Sequence, residues 1–136
     1  MSATEFGNGA FTLVAGATYF FPLGGTDSKV ISAHMHWDAS IVITSITVED
    51  TDFSPRDVLD FTSSAGGQWI DEDPTTAFVG TKGAGVTVTN GVVAVAGGAL
   101  GGARFNIADT GARRTRLAVV VGATGGEVRC ASWSKE

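Results

Sequence analysis

Apolar and polar residues alternate along most of this chain, in short β-branched runs separated by glycine, and the spacing of an amphipathic helix is hard to find. That pattern predicts an all-β protein. Strands are expected over 11–14, 18–21, 30–37, 41–48, 68–70, 77–79, 86–89, 92–96, 104–107, 116–121 and 128–133, with turn residues between nearly all of them. The fold expected is a single-domain antiparallel β-sandwich over 1–136, with 1–10 as an N-terminal arm and 51–76 as a long acidic loop.

The clearest unit is "GVTVTNGVVAVAGG". Asn90-Gly91 suits a two-residue type I′ turn, because both central positions need positive φ. That loop sets Thr89 opposite Val92, Val88 opposite Val93, Thr87 opposite Ala94 and Val86 opposite Val95, so four valines share one face. A second hairpin is expected to join "RTRLAVVV" to "EVRCASW" through "GATGG", with Leu117, Val119 and Val121 inward and Arg116 outward. In the acidic segment, Ser54 and Pro55 suit the cap and first position of one helical turn in "SPRDVLDF". The glycine pairs of "GGALGGARF" mark either a linker or a close approach of two backbones.

A chain of 136 residues is long enough to bury a core without staples, and the single cysteine, Cys130, excludes an intrachain disulfide. The first residues, "MSATEFGNGAF", carry neither the basic start nor the apolar run of a signal peptide, and no stretch approaches a membrane span. Synthesis in a cytoplasm and no membrane partner are therefore expected. A net charge of −5 disfavours phosphate-backbone binding, so nucleic acid is not an expected partner. The charge is nevertheless uneven, with acids crowded between Glu49 and Asp73 and arginines in the C-terminal third. Such a split suits solvated surface, or subunits that meet acid to base; the contact candidates are Arg113, Arg114 and Arg116 against Asp71, Glu72 and Asp73.

"HMHWDASIVITSITVED" holds the strongest candidate chemistry, because His34, His36 and Asp38 fall at every second position. Alternation puts them on one face of a strand and Ala33, Met35 and Trp37 on the other, and the tryptophan face belongs to the core. A cupin-like metal strand would need a nearby glutamate and a third histidine, and the chain has two histidines. The acidic runs at Glu49–Asp52 and Asp71–Asp73 lack the spacing of a helix-flanked calcium loop and read as solvated loop carboxylates. Cys130, in phase with Val128, reads as a small buried hydrophobe. Tyr19, Phe20, Phe21, Trp37, Trp69, Phe78 and Trp133 fit the demand of one core as well as that of a sugar platform. Neither a nucleophile elbow, a phosphate loop nor a dinucleotide fingerprint occurs.

The stretches "GQWIDEDPTTAFVGTKGAGVTVTNGVVAVAGGALGGARFNI" and "ARRTRLAVVVGATGGEVRCASWSKE", with the earlier "YFFPLGG", resemble small glycine-rich structural proteins of tailed-bacteriophage virions. The resemblance spans about residues 18–136 and includes a Trp-x-Asp/Glu-x-x-Pro-Thr motif, at 69–75, and a basic strand before a final hairpin. It implies a jelly-roll-like sandwich and a non-enzymatic capsid decoration or cement protein. Such a protein would form homo-oligomers, for instance trimers, and bind the major capsid protein on the capsid surface, without cofactor or metal. The other classes the sequence leaves open are a carbohydrate-binding host-recognition module and a cupin-like metal enzyme.

Overall fold

A computed structural model describes residues 4–5, 9–23, 30–38, 40–56, 67–71, 78–84, 86–89, 92–97, 101–108 and 113–135. Among the described residues twelve strands form: β1 Thr4–Glu5, β2 Gly9–Leu13, β3 Thr18–Pro22, β4 Val30–Trp37, β5 Ile43–Thr51, β6 Ile70–Asp71, β7 Phe78–Ala84, β8 Val86–Thr89, β9 Val92–Val95, β10 Gly101–Ala108, β11 Arg114–Val121 and β12 Gly126–Lys135. They make two facing sheets. A seven-stranded sheet runs β1-β3-β11-β5-β9-β8, with β6 also on β5, and a five-stranded sheet runs β2-β12-β4-β10-β7. All pairings are antiparallel except β1 with β3. The fold is an all-β sandwich.

From β2 to β5, and again from β9 to β12, successive strands change sheet at every step. Neither sheet can be completed without the other. The β2–β3 step is a tight turn in which Ala17 N–H donates to Val14 C=O over 3.2 Å, and Gly16 supplies the required φ of 76°.

Period-two alternation fills the space between the sheets. Ala33, Met35 and Trp37 of β4 and Ala103, Phe105 and Ile107 of β10 face Tyr19, Phe21, Val48, Leu117, Val119 and Val121 of the opposite sheet, all buried in one cluster. Each fully buried Leu, Ile, Val, Phe or Met contributes roughly 1.5–3 kcal/mol. In β5 the phase flips: Ile43 and Ile46, an odd number of residues apart, both reach the core. Register shifts between Ile43 and Ile46 and between Val120 and Val121 make this possible, as a bulge does.

The β8–β9 hairpin has the expected pairing, from Val86↔Val95 to Thr89↔Val92, and Val93 and Val95 are buried; the turn at Asn90-Gly91 lies outside the described residues. Other expectations need correction. β11 and β12 belong to different sheets, so "GATGG" crosses the edge of the sandwich and joins no hairpin. Short connections fix only that two strands are near, not that they pair. The arm at 1–10 contributes β1 and the start of β2. The acidic segment is not all loop, since β5 continues through Thr51 and β6 pairs with it, Glu49↔Asp71 and Asp50↔Ile70. At "SPRDVLDF" residues 55–56 form a turn, and 57–61 lie outside the described residues. The glycine pair at 101–102 is a close approach within β10: a Cβ on Gly102 would stand 2.9 Å from Met35 O and 3.6 Å from His36 Cδ2.

Candidate functional site

The outer face of the five-stranded sheet is the first candidate. β4 turns Ala33, Met35 and Trp37 into the core, which leaves His34 and His36 exposed on the opposite face, as the alternation requires. Across β12, Arg129 pairs with His36; across β10, Arg104 pairs with His34, and both arginines are exposed. Gly102, opposite His36, leaves room for the imidazole. A hollow of about 170 Å³ is lined by His34, His36, Arg129 and Cys130, and a neighbouring cleft of about 370 Å³ by His36, Asp38, Glu127 and Arg129. Glu127 and Arg129 form a solvent-exposed pair at 3.3 Å.

Asp38 does not join the histidines as a ligand. Its Oδ1 accepts from Ser40 N–H at 2.9 Å, Ser40 Oγ–H at 2.7 Å and Ile41 N–H at 3.3 Å, and its Oδ2 accepts from Glu127 N–H at 2.8 Å. These donors, above all the Glu127 and Ser40 groups, hold its carboxyl down at about 2. The carboxylate is a brace between the β4–β5 connection and the start of β12. Gly126 admits it, because a Cβ there would stand 2.6 Å from Oδ1. Among the described residues, no group of three or more His, Cys, Asp or Glu side chains is placed to hold a metal ion.

The second candidate lies on the other sheet, around Arg116. Its Nε donates to Glu49 Oε1 over 2.8 Å, and its guanidinium carbon lies 3.4 Å from the Phe20 ring centroid and 3.7 Å from that of Trp69. Arg116 is on the outward side of β11, opposite in phase to Leu117, yet it is only 1% exposed because residues 67–71 fold over it. The expected surface contact is thus an internal clamp. Glu49 and Asp50 are likewise buried strand residues and not solvated loop carboxylates.

The remaining contact candidates are scattered. Arg113 and Arg114 are exposed at the start of β11, where Arg113 N–H donates to Asp52 Oδ1 over 3.1 Å, and with Phe53 and Ser54 these residues line a cleft of about 370 Å³. Asp71 is exposed in β6, while Glu72 and Asp73 lie outside the described residues. The structure brings Arg116 to Glu49, not to Asp71. Nothing local in the sequence marks Glu49, Phe20 and Trp69 as its partners; only the phase of β11 shows that Arg116 shares a face with Ala118.

Of the aromatics, Tyr19, Phe20, Phe21, Trp37 and Trp69 are buried, and the side chains of Phe78 and Trp133 lie outside the described residues. The Tyr19 hydroxyl accepts from Val14 N–H at 2.9 Å. Cys130 is buried beside the histidine face, and desolvation pushes its thiol up to about 11. Neither a family model, a curated protein nor a solved structure matches the chain.

Proposed function

We propose that this chain is a non-enzymatic structural protein of a tailed-phage virion, a capsid decoration or cement subunit that self-associates and binds the major capsid protein on the capsid surface. The strand order is the observation that carries the reading. β2, β12, β4 and β10 lie side by side in one sheet and β3, β11, β5 and β9 in the other. We read this winding as a jelly roll, an architecture shared by many capsid and lectin domains. Fold alone does not assign function; the resemblance of residues 18–136 to small virion proteins is our reason for proposing the capsid branch ahead of the lectin branch.

The chemistry of the faces supports a building block. Asp38, Arg116 and Glu49 each brace one part of the fold against another. With its one cysteine buried, the sandwich is held by packing, which suits a part made in a reducing cytoplasm. The test is a binding assay on particles that lack the gene product. Purified chain added to such particles should co-sediment with them to saturation, in a fixed ratio to the major capsid protein. Failure to co-sediment, together with binding to an immobilised glycan, would move the assignment to the lectin branch.

A further inference from the structure

We infer that this chain carries a saccharide-binding cleft where β5 and β11 part, lined by Asp52, Phe53, Ser54, Arg113 and Arg114, and that its ligand is a neutral pyranose unit. The sequence sets the place. The β5–β11 ladder ends at Arg114↔Thr51, and Pro55, which has no N–H to donate, follows shortly after. Side chains stand in for the missing rungs. Thr51 Oγ1 accepts from Phe53 N–H over 3.1 Å, and Asp52 Oδ1 accepts from Arg113 N–H over 3.1 Å. The first bond is local to the chain leaving β5, and the second ties that chain to the one entering β11. The cleft they frame holds about 370 Å³, toward the small end of the range usual for ligand sites.

Phe53 is the one aromatic among the large apolar side chains that the described residues leave exposed, with 47% of it open to solvent, and it lines this cleft. A ring at a polar-rimmed hollow offers a face to the C–H side of a sugar, while the hydroxyls at the sugar's edge need partners that both donate and accept. The rim supplies both. Asp52 keeps Oδ2 outside its bond to Arg113, and the exposed Arg113 guanidinium makes no ion pair among the described residues. Ser54 and Arg114, which have contacts of their own, complete the lining. A carboxylate and a guanidinium on one rim set no single-signed field, so an anionic ligand would meet Asp52 and a cationic one Arg113. A wholly apolar ligand would strip water from both charges and replace none of it. A neutral ring edged with hydroxyls avoids all three costs. The inference holds with or without the virion reading. If that reading is also right, many copies on one particle would turn weak single contacts into firm adhesion to a glycan surface.

Saturation-transfer NMR of the purified chain tests this, with glucose, galactose, mannose and N-acetylglucosamine each titrated into the millimolar range. At least one of the four should bind saturably. Phe53→Ala should weaken that binding on the order of tenfold through the lost ring contact, and Phe53→Tyr should keep it. Arg113→Ala should weaken it several-fold through lost hydrogen bonds. Both positions are exposed, and circular dichroism checks that the variants keep the sheet fold. The inference is overturned if none of the four sugars binds, if binding survives Phe53→Ala and Arg113→Ala unchanged, or if glucuronic acid binds more tightly than glucose, which would make the cleft an anion site. Loss of sugar binding while the chain still saturates gene-deleted particles strikes the cleft and leaves the capsid reading standing. Sugar binding that Phe53→Ala abolishes, in a chain that never co-sediments with particles, supports the cleft and strikes the capsid reading.

Discussion

Arg116 Nε donates to Glu49 Oε1 over 2.8 Å across directly paired positions of β11 and β5, with both side chains out of water. A buried pair of this kind costs desolvation and returns it only while both charges are present. Glu49→Gln leaves a guanidinium buried without its counter-charge, and should lower the unfolding free energy by roughly 3–5 kcal/mol. Replacing both, with Arg116→Met and Glu49→Leu, should recover most of that loss. Urea unfolding of the three variants measures the difference.

Trp69 closes the other side of the same guanidinium, which lies between its ring and Phe20. A desolvated cation–π contact contributes about 2 kcal/mol, to which the burial of the indole adds. Trp69→Ala should therefore lower stability by more than about 2 kcal/mol and open the acidic segment to protease before the rest of the sandwich. Equal protease resistance in variant and wild type would mean that the segment is held by something other than this ring.

Asp38 gives the acid limb of the stability profile a named contributor. Its carboxyl is held at about 2 in the fold against 3.8 for an unperturbed aspartate, so the folded state favours the ionised form. A depressed pKa adds stability that is complete above the unfolded value and is lost as pH falls through the folded one. The Asp38 contribution should accordingly fade between about pH 4 and pH 2. Asp38→Asn presents an amide N–H₂ where two acceptor oxygens meet four donors, so it should be less stable at neutral pH and show a flatter decline in that window. Thermal melts across the range test both.

Cys130 is buried, and its thiol is pushed up to about 11. At pH 8 roughly one part in a thousand is thiolate, on the usual titration relation. A disulfide reagent should thus modify the native chain far more slowly than the urea-unfolded chain, with one thiol reacting per molecule after unfolding. Rapid native modification would place Cys130 at the surface.

Strand positions were legible wherever alternation and turn chemistry agreed. β4 and β8 have the expected limits, and the β8–β9 register follows from an Asn-Gly loop flanked by alternating valines. The outward placement of His34 and His36 followed from Trp37 in the same way. Sheet membership was not legible, because "GATGG" is as able to cross between sheets as to reverse within one. Nor was the bulge that flips β5, since Ile41–Val48 reads as a plain β-branched run whose phase is decided by pairing partners distant in sequence. The Arg116 clamp lay beyond reach for the same reason: it joins residues 20, 49, 69 and 116, which only the completed sandwich brings together.

The most direct test of the virion assignment is the number of copies of this chain in gradient-purified particles, measured by quantitative mass spectrometry against the major capsid protein. The expected result is a fixed stoichiometry repeated over the capsid lattice, equal between preparations. A chain absent from the particles, or present in only the few copies that one tail structure holds, contradicts it.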